Sequence, residues 1–323
     1  MADHTVNPMP RIGITQGDLN SIAYEIILKA FADQRMLEMV TPVLYGQSKA
    51  LSYYKKNFGI DSFNYSLTRD ARQSWQQKFN IINIVEEELK IEPGKATALS
   101  AEMSALALKR AVEDLRFGHL DALVLAPVCE PMEQSERDYL SASFDKPDML
   151  RLLVSGTLRI GCATDNVPLR DALQMLNASL VATKTETLSH ALRTDFGITA
   201  PKIAFVDIDA HASGKGIVAE AVALARQKGV FAFGPFSAHQ VFATGLWQKY
   251  DGVLAMTYGQ ALLPFRMMAA DGGAYLWAGL PTVCTGPVHG AAFDIANTNQ
   301  AIPDSYRKAV FLAVDVVNHR KEQ

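Results

Sequence analysis

Two histidines stand in settings that suit chemistry. His211 lies in Asp209-Ala210-His211-Ala212-Ser213-Gly214, and His289 in Gly286-Pro287-Val288-His289-Gly290-Ala291. Each follows an apolar run and is flanked by small residues, which an α/β cleft needs where a ligand approaches the backbone at the carboxyl end of a strand. An imidazole there can ligate a metal or exchange a proton near neutral pH, although loop histidines also serve purely structural ends. Generic signatures of other chemistries fail. Gly214, Gly216 and Ala219 fit the GxGxxA form of a dinucleotide loop, but the strand that should feed it ends near Asp207, too early for a tight turn into a helix. The sequence contains no phosphate-binding GxxxxGK[ST], no HExxH and no GxSxG. Cys129, Cys162 and Cys284 lie far apart beside apolar runs and read as buried thiols of a reducing compartment.

The elements that must position these residues are short β-branched runs alternating with longer helical patterns, the signature of an α/β protein with a mostly parallel sheet. The runs predict strands at 11–15, 42–45, 80–85, 121–126, 158–163, 203–207 and 252–256. Most are apolar on successive residues, as strands covered on both faces require. Residues 100–117 space Ser104, Leu108, Ala111, Val112 and Leu115 along one helical face and stop at Gly118, which suits a left-handed cap. A last helix is expected from Asp304, with His319, Arg320 and Lys321 at its negative end. The stretch 130–147, where Pro131, Ser135, Glu136, Arg137 and Asp138 crowd together, reads as a hinge between lobes.

The 323 residues, 49% hydrophobic and 20% charged, are enough for a large core in two lobes. A formal net charge of −3 offers no general attraction to phosphate backbones or anionic lipid, so neither nucleic acid nor membrane is expected as a partner and a small-molecule ligand fits better. The polar N-terminal residues lack the apolar core of a secretory signal, and no apolar stretch is long enough to span a bilayer; the expected location is the cytoplasm.

A series of segments carries a family resemblance. Arg11-Ile-Gly-Ile-Thr15 with Gly17-Asp18, Ala126-Pro127-Val128, Pro168-Leu169-Arg170-Asp171, Asp209-Ala-His211-Ala, Phe233-Gly-Pro235, Leu254-Ala-Met256, Gly279-Leu-Pro281 and His289-Gly290-Ala291 follow the order and spacing of 4-hydroxythreonine-4-phosphate dehydrogenases of pyridoxine biosynthesis. The chain resembles that family over nearly its whole length. The resemblance implies a fold like that of isocitrate and isopropylmalate dehydrogenases: two α/β/α lobes with a cleft between them, here 1–126 plus 286–323 and 127–285, the second contributing a homodimer interface. It also implies NAD and a divalent metal, used to oxidise 4-phosphohydroxy-L-threonine to a β-keto acid that loses carbon dioxide.

Carried over residue by residue, the resemblance exposes replacements. Of the family's three metal histidines, the first falls on Asn166, the second is retained as His211, and the third falls on Tyr258. Neither an amide nor a phenol of pKa about 10 replaces an imidazole well on a transition metal. A substrate lysine falls on Glu130, a charge reversal. Another falls on Arg266, which keeps the charge, while an asparagine falls on Tyr275 and an arginine on Cys284. The family's glycine-rich stretch reads Leu19-Asn20-Ser21-Ile22-Ala23, and its acidic pair falls on Ala221 and Val222, with Glu220 adjacent. The expectation is a divergent member, in the limit a pseudoenzyme, whose oxidation is lost or strongly reduced. His211 is the remaining metal candidate, Asp209 and His289 the catalytic candidates and Arg266 the substrate contact; the cofactor-binding residues are not assigned. The alternative is an active NAD- and metal-dependent dehydrogenase, acting on the family substrate or on a non-phosphorylated hydroxy acid. In that case Asp165, Asp209, His211 and His289 would supply ligands, and Tyr258, Tyr275 and Trp277 would either form an aromatic pocket or simply fill volume.

Overall fold

The computed structural model describes residues 9–129, 135–209, 214–270 and 272–323. Its strands are β1 (Arg11–Thr15), β2 (Thr41–Gly46), β3 (Tyr65–Leu67), β4 (Phe79–Asn83), β5 (Ala122–Val124), β6 (Leu150–Ser155), β7 (Leu158–Cys162), β8 (Lys202–Val206), β9 (Phe231–Phe236), β10 (Gly252–Ala255), β11 (Ala274–Ala278) and β12 (Val283–Pro287). Its α-helices are α1 (Ala23–Phe31), α2 (Arg35–Met39), α3 (Ser48–Asn57), α4 (Ala98–Arg116), α5 (Glu136–Phe144), α6 (Leu169–Met175), α7 (Ala178–Thr194), α8 (Ile217–Gln227), α9 (Tyr258–Met268) and α10 (Asp304–Lys321). Among the described residues, no helix is long and apolar enough to cross a membrane.

The chain forms two compact units, Met1–Glu136 with Thr282–Val317 and Arg137–Pro281 with Asn318–Gln323. The expectation from the sequence is divisions at 126/127 and 285/286, with 286–323 wholly in the first lobe. In unit 1 the strand order is β3-β4-β2-β1-β5-β12, with every pairing parallel. Ile12, Ile14, Val43, Leu44, Leu123 and Val124 are fully buried on successive or alternate positions, so both sheet faces are covered.

Unit 2 has the order β11-β6-β7-β10-β8-β9. β7, β10, β8 and β9 run parallel, whereas β6 is antiparallel to both neighbours. The β6–β7 hairpin turns through Gly156 and Thr157, with Gly156 at φ +56°. Each of the seven expected strands is present, within two residues of its expected ends. β3, β6, β9, β11 and β12 were not expected.

Local chemistry explains the helix limits. Thr97 and Ser100 form a reciprocal capping box at the start of α4, and Gly118 follows its end at φ +70°. Within the stretch expected as a hinge or inter-lobe crossing, residues 136–144 form α5, which buries Leu140, while 130–134 lie outside the described residues.

Candidate functional site

In unit 1 the loops after β1, β5 and β12 meet at the carboxyl ends of adjacent strands. Thr15 Oγ1 accepts from Ala126 N–H at 2.9 Å, Asp18 N–H donates to Pro127 O at 2.8 Å, and Ile22 N–H donates to Ala291 O at 3.2 Å. The His289 loop is therefore tied to the loop that carries Asp18. Asp18 is only 1% exposed. Its Oδ1 accepts from Asn20 N–H at 2.8 Å and its Oδ2 from the Ser100 hydroxyl at 2.9 Å. Burial raises the Asp18 pKa, against the lowering effect of those two donors. Leu19, Asn20, Ser21, Ile22 and Ala23 are all buried, so the side chains standing at the family's glycines fill the space beside this loop. Asn20 fastens this loop to residues 92–97: it donates to Lys95 O and Thr97 Oγ1 and accepts from Glu92 N–H.

In unit 2 the ends of β7, β8 and β10 are stitched together. Ala163 and Thr164 N–H donate to Ala255 O and Met256 O at 2.8 and 3.1 Å, and the Thr164 hydroxyl also donates to Met256 O. Gln260, in the first turn of α9, accepts from Met256 N–H at 2.8 Å and donates to Asp207 O at 2.6 Å. This sets Asp165 and Asn166 after β7, Thr257 and Tyr258 after β10, and Asp209 after β8 around one end of the unit 2 sheet.

The centre of this group is a residue that the sequence did not single out. Arg151 on β6 donates through Nε to Asp165 Oδ1 at 2.9 Å and through Nη2 to Oδ2 at 3.4 Å. Its guanidinium carbon lies 4.6 Å from the Trp277 ring centroid, 4.8 Å from that of Tyr275 and 5.4 Å from that of Tyr258. Arg151 and Trp277 are direct partners in the β6–β11 register, and Tyr275 shares the Trp277 face two residues away. The side chains of Arg151 and Asp165 are 14% and 11% exposed. Burial would ease the proton off this guanidinium, but the Asp165 carboxylate and the two tyrosines more than offset it and the pKa rises, so the arginine stays charged. Arg137 Nε stands 4.0 Å from Asp165 Oδ2. Lys184, buried and donating to Met149 O at 2.7 Å and Pro147 O at 3.3 Å, has its pKa pushed down to about 8 by burial and by the charge of Arg137. The signal for Arg151 was present in the sequence as one cation inside the apolar run Met149–Val154, together with Tyr275 and Trp277 spaced two apart.

A family model described as "Pyridoxal phosphate biosynthetic protein PdxA" matches residues 38–313. The chain belongs to the PdxA family. It is 33% identical to the 4-hydroxythreonine-4-phosphate dehydrogenase of Bacteroides thetaiotaomicron, over 97% of this chain and 90% of that protein. It is 31% identical to the enzyme of the same name from Prosthecochloris aestuarii, over 95% of this chain and 97% of that one. Among solved structures it resembles the 4-hydroxythreonine-4-phosphate dehydrogenase of Klebsiella pneumoniae, with a TM-score of 0.80 and 25% identity over 96% of this chain and 98% of that one.

On this PdxA scaffold the expected site residues are placed unevenly. Tyr258 meets Arg151 in unit 2, and Asn166 is exposed just after Asp165. Asp209 is exposed at the end of β8, and Arg266 is exposed further along α9. His289 is half-buried in unit 1, its Nδ1 3.2 Å from Gly290 O. Tyr275 and Cys284, expected at substrate-contact positions, are buried. His211 and Glu130 lie outside the described residues. Among the described residues no three of His, Cys, Asp and Glu come together as a metal-binding group. The donor chemistry of the described residues also fits a divalent ion poorly: the nearest carboxylate, Asp165, is engaged by a guanidinium, and the Tyr258 ring faces that same cation.

Proposed function

We propose that this PdxA-family protein has lost, or keeps only in strongly reduced form, the family's metal-assisted oxidation of 4-phosphohydroxy-L-threonine by NAD. The observation that supports this is the Arg151 guanidinium 5.4 Å from the ring of Tyr258, the residue that stands for a metal histidine. A divalent ion placed about 5 Å from a fixed monovalent cation meets a repulsion of about 7 kcal/mol at an effective dielectric near 20. Asp165 offers little relief, because its two oxygens already accept from the arginine. The same reading accounts for the substrate end. Cys284, a weak donor without charge, is a poor replacement for a guanidinium at a phosphate, and the charge of Glu130 opposes one.

The test combines elemental analysis of the purified protein with NADH formation from 4-phosphohydroxy-L-threonine, with and without Mg2+, Mn2+ or Zn2+. Substoichiometric metal and no metal-stimulated NADH are expected. Stoichiometric metal with metal-stimulated turnover would sink the proposal. The second reading, a dehydrogenase for a non-phosphorylated hydroxy acid, is favoured by one feature of the site: it retains a fixed cation and has lost phosphate donors. We also propose a homodimer through unit 2, supported by exposed Leu169, Leu173 and Met175 on α6 and Leu263 and Met267 on α9. Sedimentation equilibrium returning the monomer mass at micromolar concentration would refute it.

A further inference from the structure

We infer that Arg151, with Asp165 and its aromatic walls, forms a carboxylate-binding site in unit 2, in which a fixed organic cation takes the electrostatic place of a metal. The inference rests on the proposed loss of the metal-assisted reaction. A guanidinium carries five N–H donors in a planar fork. Asp165 takes the side of the fork made by Nε and Nη2. That leaves the second N–H of Nη2 and both of Nη1, and the Nη1/Nη2 end is the pair of parallel donors that receives a second carboxylate in two-point fashion.

Three features of the surroundings suit such a ligand. The side chain is 14% exposed rather than fully sealed. Three ring centroids lie 4.6–5.4 Å from the guanidinium carbon and Asp165 holds one side of the fork, so a ligand meets a restrained fork rather than a flexible side chain. Trp277 Nε1 in the same wall is buried with no acceptor, a second donor left unmatched by the protein.

The fork favours a planar carboxylate over phosphate. A tetrahedral dianion spreads its charge over three oxygens and calls for donors on several sides, whereas the donors this cation has left lie along one planar edge. The ligand class is therefore a small carboxylic acid, and for the dehydrogenase reading a non-phosphorylated hydroxy acid held by its carboxylate.

The experiment titrates the full-length protein with malonate, acetate and inorganic phosphate in separate arms, by calorimetry and by tryptophan fluorescence, which Trp277 at 4.6 Å from the guanidinium should report. Saturable malonate binding is expected, tighter than phosphate and weakened about 10- to 100-fold by Arg151→Met, the loss typical of charge-assisted hydrogen bonds. Arg151→Met alone strands Asp165 and could unfold the protein, so Arg151→Met/Asp165→Asn is measured beside it; it leaves no charge unpaired and should show the same loss. Malonate binding that survives both variants, phosphate binding tighter than malonate, or no binding to the wild-type protein would each overturn the site. Metal content and metal-stimulated NADH formation are read independently, so failure of the functional proposal is distinguishable from failure of this site.

Discussion

The two units each bury a carboxylate at the carboxyl end of their sheet, and they satisfy it in opposite ways. Asp18 in unit 1 is met by neutral donors, a backbone N–H and a serine hydroxyl, both from its immediate surroundings. Asp165 in unit 2 is met by a guanidinium whose fork it only half uses. A carboxylate closed by neutral donors is a structural fastening, because nothing remains there to bind a ligand. One held by a larger cation leaves donors over, and surplus donors beside solvent are what make a binding site. The difference also separates two regions of the chain: residues 19–23 pack their side chains into unit 1, whereas beside Tyr258 unit 2 holds a fixed cation.

The largest expected effect breaks the unit 2 pair from one side. Asp165→Ala leaves the Arg151 charge largely buried with only aromatic faces for company, and removing one partner of such a pair costs about 3–5 kcal/mol. Arg151→Met/Asp165→Asn should instead lie within about 1 kcal/mol of wild type, since replacing both partners by neutral groups of similar size is often close to neutral. Urea unfolding of the two variants checks this. A double variant as unstable as Asp165→Ala would mean that the pair stabilises the fold in its own right, and the contrast drawn with Asp18 would fail.

A somewhat smaller effect, about 2–4 kcal/mol, is expected from Gly17→Ala in unit 1. Gly17 sits at φ +66°, and a Cβ there would lie 2.5 Å from Pro127 O and 2.8 Å from Ala23 Cβ. Left-handed backbone in a non-glycine residue costs about 1–2 kcal/mol and overpacking a further 1–3 kcal/mol. Thermal unfolding would show it as a fall in Tm. A Tm within a degree or so of wild type would show that the loop yields and is not the rigid fastening described.

How legible this contrast was in the sequence depends on the range of the contacts. The Asp18 loop could be approached from local residues, because Gly17-Asp18 follows a clear strand and the replaced glycines are contiguous. Most of the seven recognised strands are apolar on successive residues, and α10 carries its own start and stop signals. β6 was missed because Arg151 interrupts its apolar run, so it did not read as a buried strand. β12 was missed because Gly286 and Pro287 close it with residues that usually mark turns. The Arg151 site was missed for a stronger reason. Its members at 151, 165, 258, 275 and 277 come from four segments, and no spacing rule joins them before the β6–β7 hairpin and the β6–β11 register are known.

The smallest expected effect sharpens the unit 1 half of the comparison through pH. Burial raises the Asp18 carboxyl above its ordinary value of 3.8, so the folded protein holds that proton more tightly than the unfolded chain does. A raised folded pKa contributes stability that is complete below 3.8 and is lost as pH rises through the folded value. Asp18→Asn keeps an oxygen for Asn20 N–H, and its amide can donate to Ser100 Oγ, whose hydroxyl already has Thr97 O as a second acceptor at 3.0 Å. The variant should therefore fold, and relative to it the wild-type protein should lose stability as pH is raised from below 3.8 toward neutrality. Urea midpoints of the two proteins across that range measure the difference directly. A difference that stays flat with pH, or that grows in favour of the wild-type protein, would mean that the neutral donors at Asp18 outweigh its burial and that this carboxylate is held as firmly as Asp165.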